Sequence, residues 1–275
     1  MFAFLSTGTE LRRFGKGTLP KIALVVLTFI PLIYGALYTI ALFQGLFLQN
    51  TVGYSATAAG IIGLPTGIIL TLFSARVGAA AGRIGMRPFL VIGPVVMALG
   101  LFWFARIPVT TEPWTLQPAD PTTWLPPVSV LIDVLPYILL FGIGITLVVA
   151  PLTTTLMTSV PVSNAGLASA INNAISRVGQ PLVWALLFIA MTATFYPTLG
   201  ELVPGLDVND PALRDAVQPL ASVHGDVPAE VASAARDASI ASFRLAMIVS
   251  AGLLVIGAAI SAIGLRPSAG RREKA

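Results

Sequence analysis

Apolar residues along this chain gather into long runs, and polar residues gather between them. The runs are Ile22–Leu48, Ala56–Phe73, Phe89–Phe104, Val130–Met157, Ala165–Phe195 and Ser239–Leu265. A helix needs about 20 apolar residues to cross a hydrocarbon layer ~30 Å thick. The pattern therefore predicts six transmembrane helices. The third run is short and the fifth is interrupted. The purely apolar part of the fifth, Pro181–Phe195, spans only 15 residues, or ~22 Å at 1.5 Å per residue. To cross, that helix must take in the polar segment before it. At 100° per residue, Asn172, Asn173, Ser176, Arg177 and Gln180 then fall within one arc of ~140°.

Composition agrees with the pattern. Hydrophobic residues make up 56% of the 275, and charged residues only 10%, too few to keep a soluble domain in solution. The pI near 9.8 and net charge of +4 raise the question of a nucleic-acid partner. The distribution of charge answers it. With the N-terminus in the cytosol and six helices threaded, Arg12, Arg13, Lys16, Lys21, Arg76, Arg83, Arg87, Arg177, Arg266, Arg271, Arg272 and Lys274 lie on the cytosolic side. Only Arg106, Arg214, Arg236 and Arg244 lie outside, with ten of the 12 acids. This is the positive-inside bias, and both termini are expected in the cytosol. The basic balance is then a topology signal, with anionic lipid as the additional partner it favours and no nucleic acid.

The expected organisation is a basic cytosolic lead at 1–21, a six-helix transmembrane domain at 22–265 and a basic cytosolic tail at 266–275. The first apolar run is far longer than the 7–15 residues of a signal-peptide core, so it is expected to stay in the membrane. The outer segment Arg106–Ser129 is rich in Pro and Thr. Its Trp114 and Trp124 fit either the headgroup level or plain loop packing. The longer outer segment Tyr196–Ala238 is acidic and too poor in large apolar residues for a domain of its own. Within it, Pro228–Arg236 reads as a short helix. Pro31, Pro65, Pro94, Pro136, Pro151 and Pro181 punctuate the runs, and each removes a backbone donor. Close-packing glycines such as Gly142 and Gly144 accompany them.

Several segments carry a family resemblance. Leu46-Phe-Leu-Gln-Asn-Thr-Val-Gly-Tyr-Ser-Ala-Thr-Ala-Ala-Gly60 resembles the "LQ…GYSA…AG" lead into a second helix. Gly78-Ala-Ala-Ala-Gly-Arg83-Ile-Gly85-Met-Arg87 resembles the loop motif "GxxxDRxGxR". Leu135-Pro136, Gly142-Ile-Gly144, Ala150-Pro151-Leu152 and Ala165-Gly-Leu-Ala-Ser169 follow in order. From Leu42 to Arg266 the chain thus resembles the C-terminal six helices of a major facilitator superfamily transporter, of the fourteen-helix QacA/EmrB drug:proton antiporter type. The resemblance implies an all-α fold, half of a major facilitator bundle, with helices one to three and four to six related by an inverted repeat. It also implies a gating loop at Gly78, Arg83, Gly85 and Arg87. Gly82 stands where the family usually has an aspartate that latches the inner gate. Ahead of this, Leu11-Arg-Arg-Phe-Gly-Lys-Gly-Thr-Leu-Pro-Lys21 and Leu27–Tyr38 resemble the amino end of YhgE/Pip-type membrane proteins, which implies a fusion or a truncated gene.

Ionisable groups inside spans are the candidate chemistry. Arg177, with Asn172, Asn173 and Gln180, presents a polar stripe to a substrate or proton pathway. Alternatively, Arg177 snorkels to the inner headgroups and the amides pack between helices. Asp133 opens the fourth run near the outer face. It is a candidate proton carrier if held in a low-dielectric cavity, or a helix-start acid favoured by the dipole. Arg244 lies early in the sixth run, within reach of pairing with Asp133. His224 is a solvated loop histidine. The chain has no cysteine, hence neither disulfides nor thiolate metal sites. No phosphate loop, metal-ligand spacing or nucleophile elbow is present, so neither an enzyme nor a cofactor or metal site is expected.

The expected function is half-size membrane transport: proton-coupled efflux of hydrophobic or cationic small molecules. Its expected partners are the lipid bilayer, a small-molecule substrate and a second half, supplied as a homodimer or by a separate chain. The alternative is a non-transporting remnant or accessory membrane protein.

Overall fold

The computed structural model describes residues 19–158 and 165–264. The resemblance at Leu11–Thr18, most of the basic lead and the basic tail lie outside them. Helix α1 (Leu19–Leu46) runs on through a π-helical turn, Phe47–Val52. Helix α2 (Ala56–Ile84) follows, then α3 (Arg87–Phe104). A second π-turn, Val130–Val134, leads into α4 (Leu135–Thr158). Helix α5 (Ala165–Leu202), the short α6 (Pro211–Ala216) and α7 (Ala229–Gly264) complete the order. Among the described residues there is no strand. Five stretches among the described residues are long and apolar enough to cross a membrane: Ala56–Ile84, Arg87–Phe104, Val130–Leu152, Gly179–Leu202 and Ala229–Ile263.

The helices outrun the apolar runs that announce them. Helix α2 continues eleven residues beyond Phe73, because Ser74–Ile84 is rich in alanine and holds no proline, and alanine is the best helix former. Helix α5 extends from Phe195 to Leu202. The expected short helix at Pro228–Arg236 is instead the opening of α7, since nothing between Ala229 and Gly264 breaks the ladder. Glu230, Arg236 and Asp237 lie on these added turns, ahead of the apolar run Ser239–Leu265. Helix α1 begins three residues before the expected start.

Packing follows a definite order. Helix α4 lies against α2 and α3, α3 against α7, and α7 against α1 and α5, with α1 and α5 also paired. Backbones approach closely where glycines face each other. A Cβ on Gly35 of α1 would lie 2.5 Å from the Gly179 carbonyl oxygen of α5. One on Gly93 of α3 would lie 2.9 Å from that of Gly144 of α4. Hydroxyls inside the helices return to their own backbone, as Thr146 Oγ1 does to the Gly142 carbonyl at 2.7 Å and Ser250 Oγ to Ala246 at 2.7 Å. That is how a polar side chain is satisfied without water.

An aromatic layer ties four elements together. Phe47 of the first π-turn stacks on Phe243 of α7 with centroids 3.8 Å apart. Phe104 of α3 stacks on Tyr137 of α4 at 4.3 Å and meets Phe243 edge-on at 5.2 Å. All four are buried. Offset and edge-on contacts of this kind add to dispersion in a core. A second, smaller apolar cluster lies towards the long loops, where Phe195, Tyr196 and Leu199 of α5 meet Val217 and Val231, Ala234, Ala235 and Ala238 of α7. The acidic segment between α5 and α7 therefore caps their extended ends.

Candidate functional sites

The polar stripe of α5 is helical throughout. Asn173 and Arg177 are exposed on the bundle surface, and Gln180 is half-buried. The side chains of Asn172 and Ser176 lie outside the described residues. Gly179, one residue before Gln180, is buried against Gly35. Arg177 shares its helix face with Trp184 and Phe188, which stack at 5.2 Å, because positions i, i+7 and i+11 recur on one side of a helix. A cation, an exposed tryptophan and a half-buried phenylalanine thus lie along one strip.

Asp133 sits on the second π-turn, a geometry frequent at functional sites. It is half-buried, and Oδ2 accepts from Thr111 Oγ1 at 3.1 Å. Tyr54 is buried in the link before α2, and its hydroxyl has no hydrogen-bond partner. Burial and, second, the negative charge of Asp133 push its pKa up to about 12. Arg244 takes a partner other than Asp133: its guanidinium donates to the Ile107 carbonyl at 2.8 Å, while Nε is buried without a partner. Asp133 and Thr111 thus form a hydrogen-bonded pair beneath the long loops, with the Tyr54 phenol within electrostatic range of the carboxylate. Tyr54 and Thr111 are the residues here that sequence reasoning missed. Neither lies in an apolar run, and their approach to Asp133 depends on long-range packing of the loops.

Another missed contact crosses the bundle. Tyr137 Oη donates to Gln44 Oε1 at 2.7 Å. The polar Gln44 within an apolar run was the available signal. Of the two tryptophans of the 106–129 segment, Trp114 is buried and donates to the Thr123 carbonyl, whereas Trp124 is 55% exposed. Loop packing accounts for Trp114. His224 is exposed, as expected.

The segment read as a gating loop is mostly helix. Gly78 and Arg83 belong to the last turns of α2, and only Gly85 and Met86 connect to α3, which Arg87 begins. Gly85 has φ +89°, a conformation that glycine adopts without strain. Arg87 donates to the Ala262 carbonyl at the end of α7 at 2.9 Å, where helix carbonyls lack partners and a cation is favoured. A Cβ on Gly82 would meet nothing within 4 Å, so packing does not exclude the family's aspartate there.

No protein-family model matches the chain. It is similar to Multidrug resistance protein Stp of Mycobacterium tuberculosis, at 30% identity over 242 residues, which is 82% of this chain and 41% of that protein. Multidrug efflux pump LfrA of Mycolicibacterium smegmatis is 25% identical over 224 residues, 80% of this chain and 41% of the pump. Lincomycin resistance protein LmrB of Listeria innocua is 28% identical over 148 residues, 54% of this chain and 28% of that protein. The chain spans about two fifths of the length of Stp and LfrA. With its five membrane-length helices, the chain is therefore a multi-pass protein of the cell membrane whose relatives are multidrug resistance and efflux transporters.

Proposed function

We propose that this chain is one half of a major facilitator drug-efflux unit, exporting hydrophobic or cationic small molecules against inward proton movement. The observation that carries the reading is its similarity over 82% of its length to a multidrug resistance protein. In this reading α1 supplies the sixth span and both termini are cytosolic. The lead, bundle and tail divide near residues 21 and 265. The inverted repeat has support in the packing. Exchanging spans one, two and three for four, five and six maps the α1–α5 pair onto α4–α2 and the α1–α7 pair onto α4–α3. It maps the α3–α7 pair onto itself, while the α5–α7 pair has no comparable α2–α3 counterpart.

The strip of Arg177, Trp184 and Phe188 then faces the pathway, with Asn173 and Gln180 beside it. An aromatic pair suits flat or cationic substrates. Asp133 is the proton carrier in this scheme. A second half, from another copy or another chain, closes the opposite wall.

The test is dye efflux from cells expressing the chain. Efflux that collapses with a protonophore supports the proposal. Normal insertion without efflux would instead favour an accessory role, and labelling of a cysteine at Ser268 from outside intact cells would overturn the topology. Arg177→Ala is expected to abolish efflux at near-normal expression, and Arg177→Lys to retain part, because charge survives while the planar fork is lost.

A further inference from the structure

A groove of about 510 Å³ runs along the outer third of α5, floored by Phe188, Ile189, Thr192 and Ala193 and ending at Tyr196 and Arg214. Ile189 is 67% exposed, so the side of the floor formed by Ile189 and Ala193 faces lipid, and Phe188 is the edge it shares with the strip proposed to face the pathway. At the loop end a single cation closes it. Arg214 comes from α6 and lies over the Tyr196 ring at 4.4 Å. It is fixed there by two bonds, from Nε to the Val208 carbonyl at 2.8 Å and from its second guanidinium nitrogen to Asn209 Oδ1 at 3.0 Å. A guanidinium has five N–H donors, so three remain for a ligand. Side-chain ordering, usually a cost of binding, is already met by the ring and the two bonds.

The neighbouring acids do not fill this position. Asp207 Oδ1 accepts from the Asn209 N–H and Asp210 Oδ1 from the Ala212 N–H, so both serve the turn that carries α6. No acidic side chain lines the groove. Thr192 Oγ1 is buried in its floor without a hydrogen-bond partner. An apolar channel at membrane depth with a pre-positioned cation at its loop end matches one kind of molecule: an alkyl chain with an anionic head.

We propose that this groove binds an anionic phospholipid from the leaflet on the long-loop side, one acyl chain lying along Phe188–Ala193 and the phosphate on Arg214. The arrangement differs from general attraction to a basic surface, because the surrounding segment is acidic and the cation is singular. Bound lipid would brace α6 against α5 and hold the cap of the second apolar cluster in place.

Native mass spectrometry of the full-length purified chain tests it. The protein is exchanged into mixed micelles holding equal amounts of phosphatidylglycerol and phosphatidylcholine with identical acyl chains. Wild type is expected to retain one phosphatidylglycerol, preferred about tenfold, as a charge-assisted bond implies. Arg214→Gln should abolish the preference. Ala193→Phe, which fills the groove and leaves the cation, should release the lipid as well. Arg106→Gln removes another loop-side cation seated on an aromatic ring, Trp103 at 4.1 Å, and should change nothing. Should Arg214→Gln fail to fold, Arg214→Lys serves in its place and should keep only part of the preference. Equal retention of the two lipids by wild type would overturn the proposal. So would an unchanged preference in the Arg214 variant, or full lipid retention by Ala193→Phe.

Discussion

Helices α2 and α7 are both strongly apolar and have different employment. Their most apolar stretches have mean hydropathies of 1.8 and 2.4, yet 11% of the α2 stretch is buried inside the bundle against 44% of the α7 stretch. Helix α2 turns Leu64, Ile68 and Leu72 outward, each more than half exposed. Helix α7 places Phe243, Ala246, Met247, Ala251 and Leu254 wholly inside. Hydropathy cannot separate these cases, because lipid tails are as apolar as leucine and no hydrophobic force sorts one helix inward. What sorts them is shape. Where α7 meets α1, α3 and α5, small residues and flat rings allow close contact.

The largest effect that comparison predicts is at the aromatic layer. Phe243→Ala removes a ring that contacts both Phe47 and Phe104. It is expected to cost about 3 kcal/mol, the low end for emptying a packed phenylalanine site. Leu72→Ala, on the exposed face of α2, should move the thermal midpoint in detergent hardly at all. Equal losses for the two variants would show that α7 is not the centre of the bundle.

Next come the glycines. Gly93→Val forces side-chain atoms onto Val148 and the Gly144 carbonyl, within 2.9 Å even for the first carbon. Overpacking of that kind costs about 1–3 kcal/mol. Gly67→Ala on α2 meets nothing within 4 Å and should be neutral or stabilising by about 0.4–1 kcal/mol through the unfolded chain. Fluorescence-detected gel filtration after heating ranks the two directly.

A smaller effect concerns how this cap is held to the first π-turn. Arg236 Nε donates to the Thr51 carbonyl at 3.0 Å, and Asn50 Nδ2 to the Leu220 carbonyl at 2.9 Å. Leu220 has φ +59°, a left-handed conformation costly for a residue with a Cβ, so the Asn50 bond holds a strained residue in place while the Arg236 bond ties α7 to the π-turn. Arg236→Ala with Asn50→Ala should remove about 1 kcal/mol per bond. The readout is faster amide exchange around Leu220, with the bundle's midpoint unchanged.

These contrasts mark what was legible in the sequence. The apolar runs located every long helix, since the length needed to cross lipid is set by the bilayer. Their ends were less legible. Pro228–Arg236 reads as a short helix apart from the last apolar run, but nothing between them breaks the ladder and the two form one helix, α7. The π-turns left no trace, because a one-residue widening depends on what the freed carbonyls meet, here Arg236 on Thr51. The polar face of α5 was legible at Arg177 because its period is local. Tyr54 and Thr111 were not, because they reach Asp133 only after three separate segments have folded.

The finest prediction tests that last group. Tyr54 lies in the link between the first π-turn and α2, and its pKa is raised to about 12, against roughly 10 for a free tyrosine. The neutral phenol is therefore favoured in the folded state. That contribution is fully present below pH ~10 and is lost as pH rises towards 12, because the folded form holds its proton longer than the unfolded form does. Tyr54→Phe should remove that part of the alkaline destabilisation, measured as unfolding midpoint against pH. Asp133→Asn should bring the Tyr54 titration down only part of the way, because burial is the larger cause and the carboxylate the smaller. Ultraviolet difference titration of tyrosinate, with Tyr54→Phe as the blank, resolves the shift. An unchanged curve in Asp133→Asn would separate the two residues. A fall all the way to an ordinary tyrosine value would make Asp133, rather than burial, the dominant neighbour.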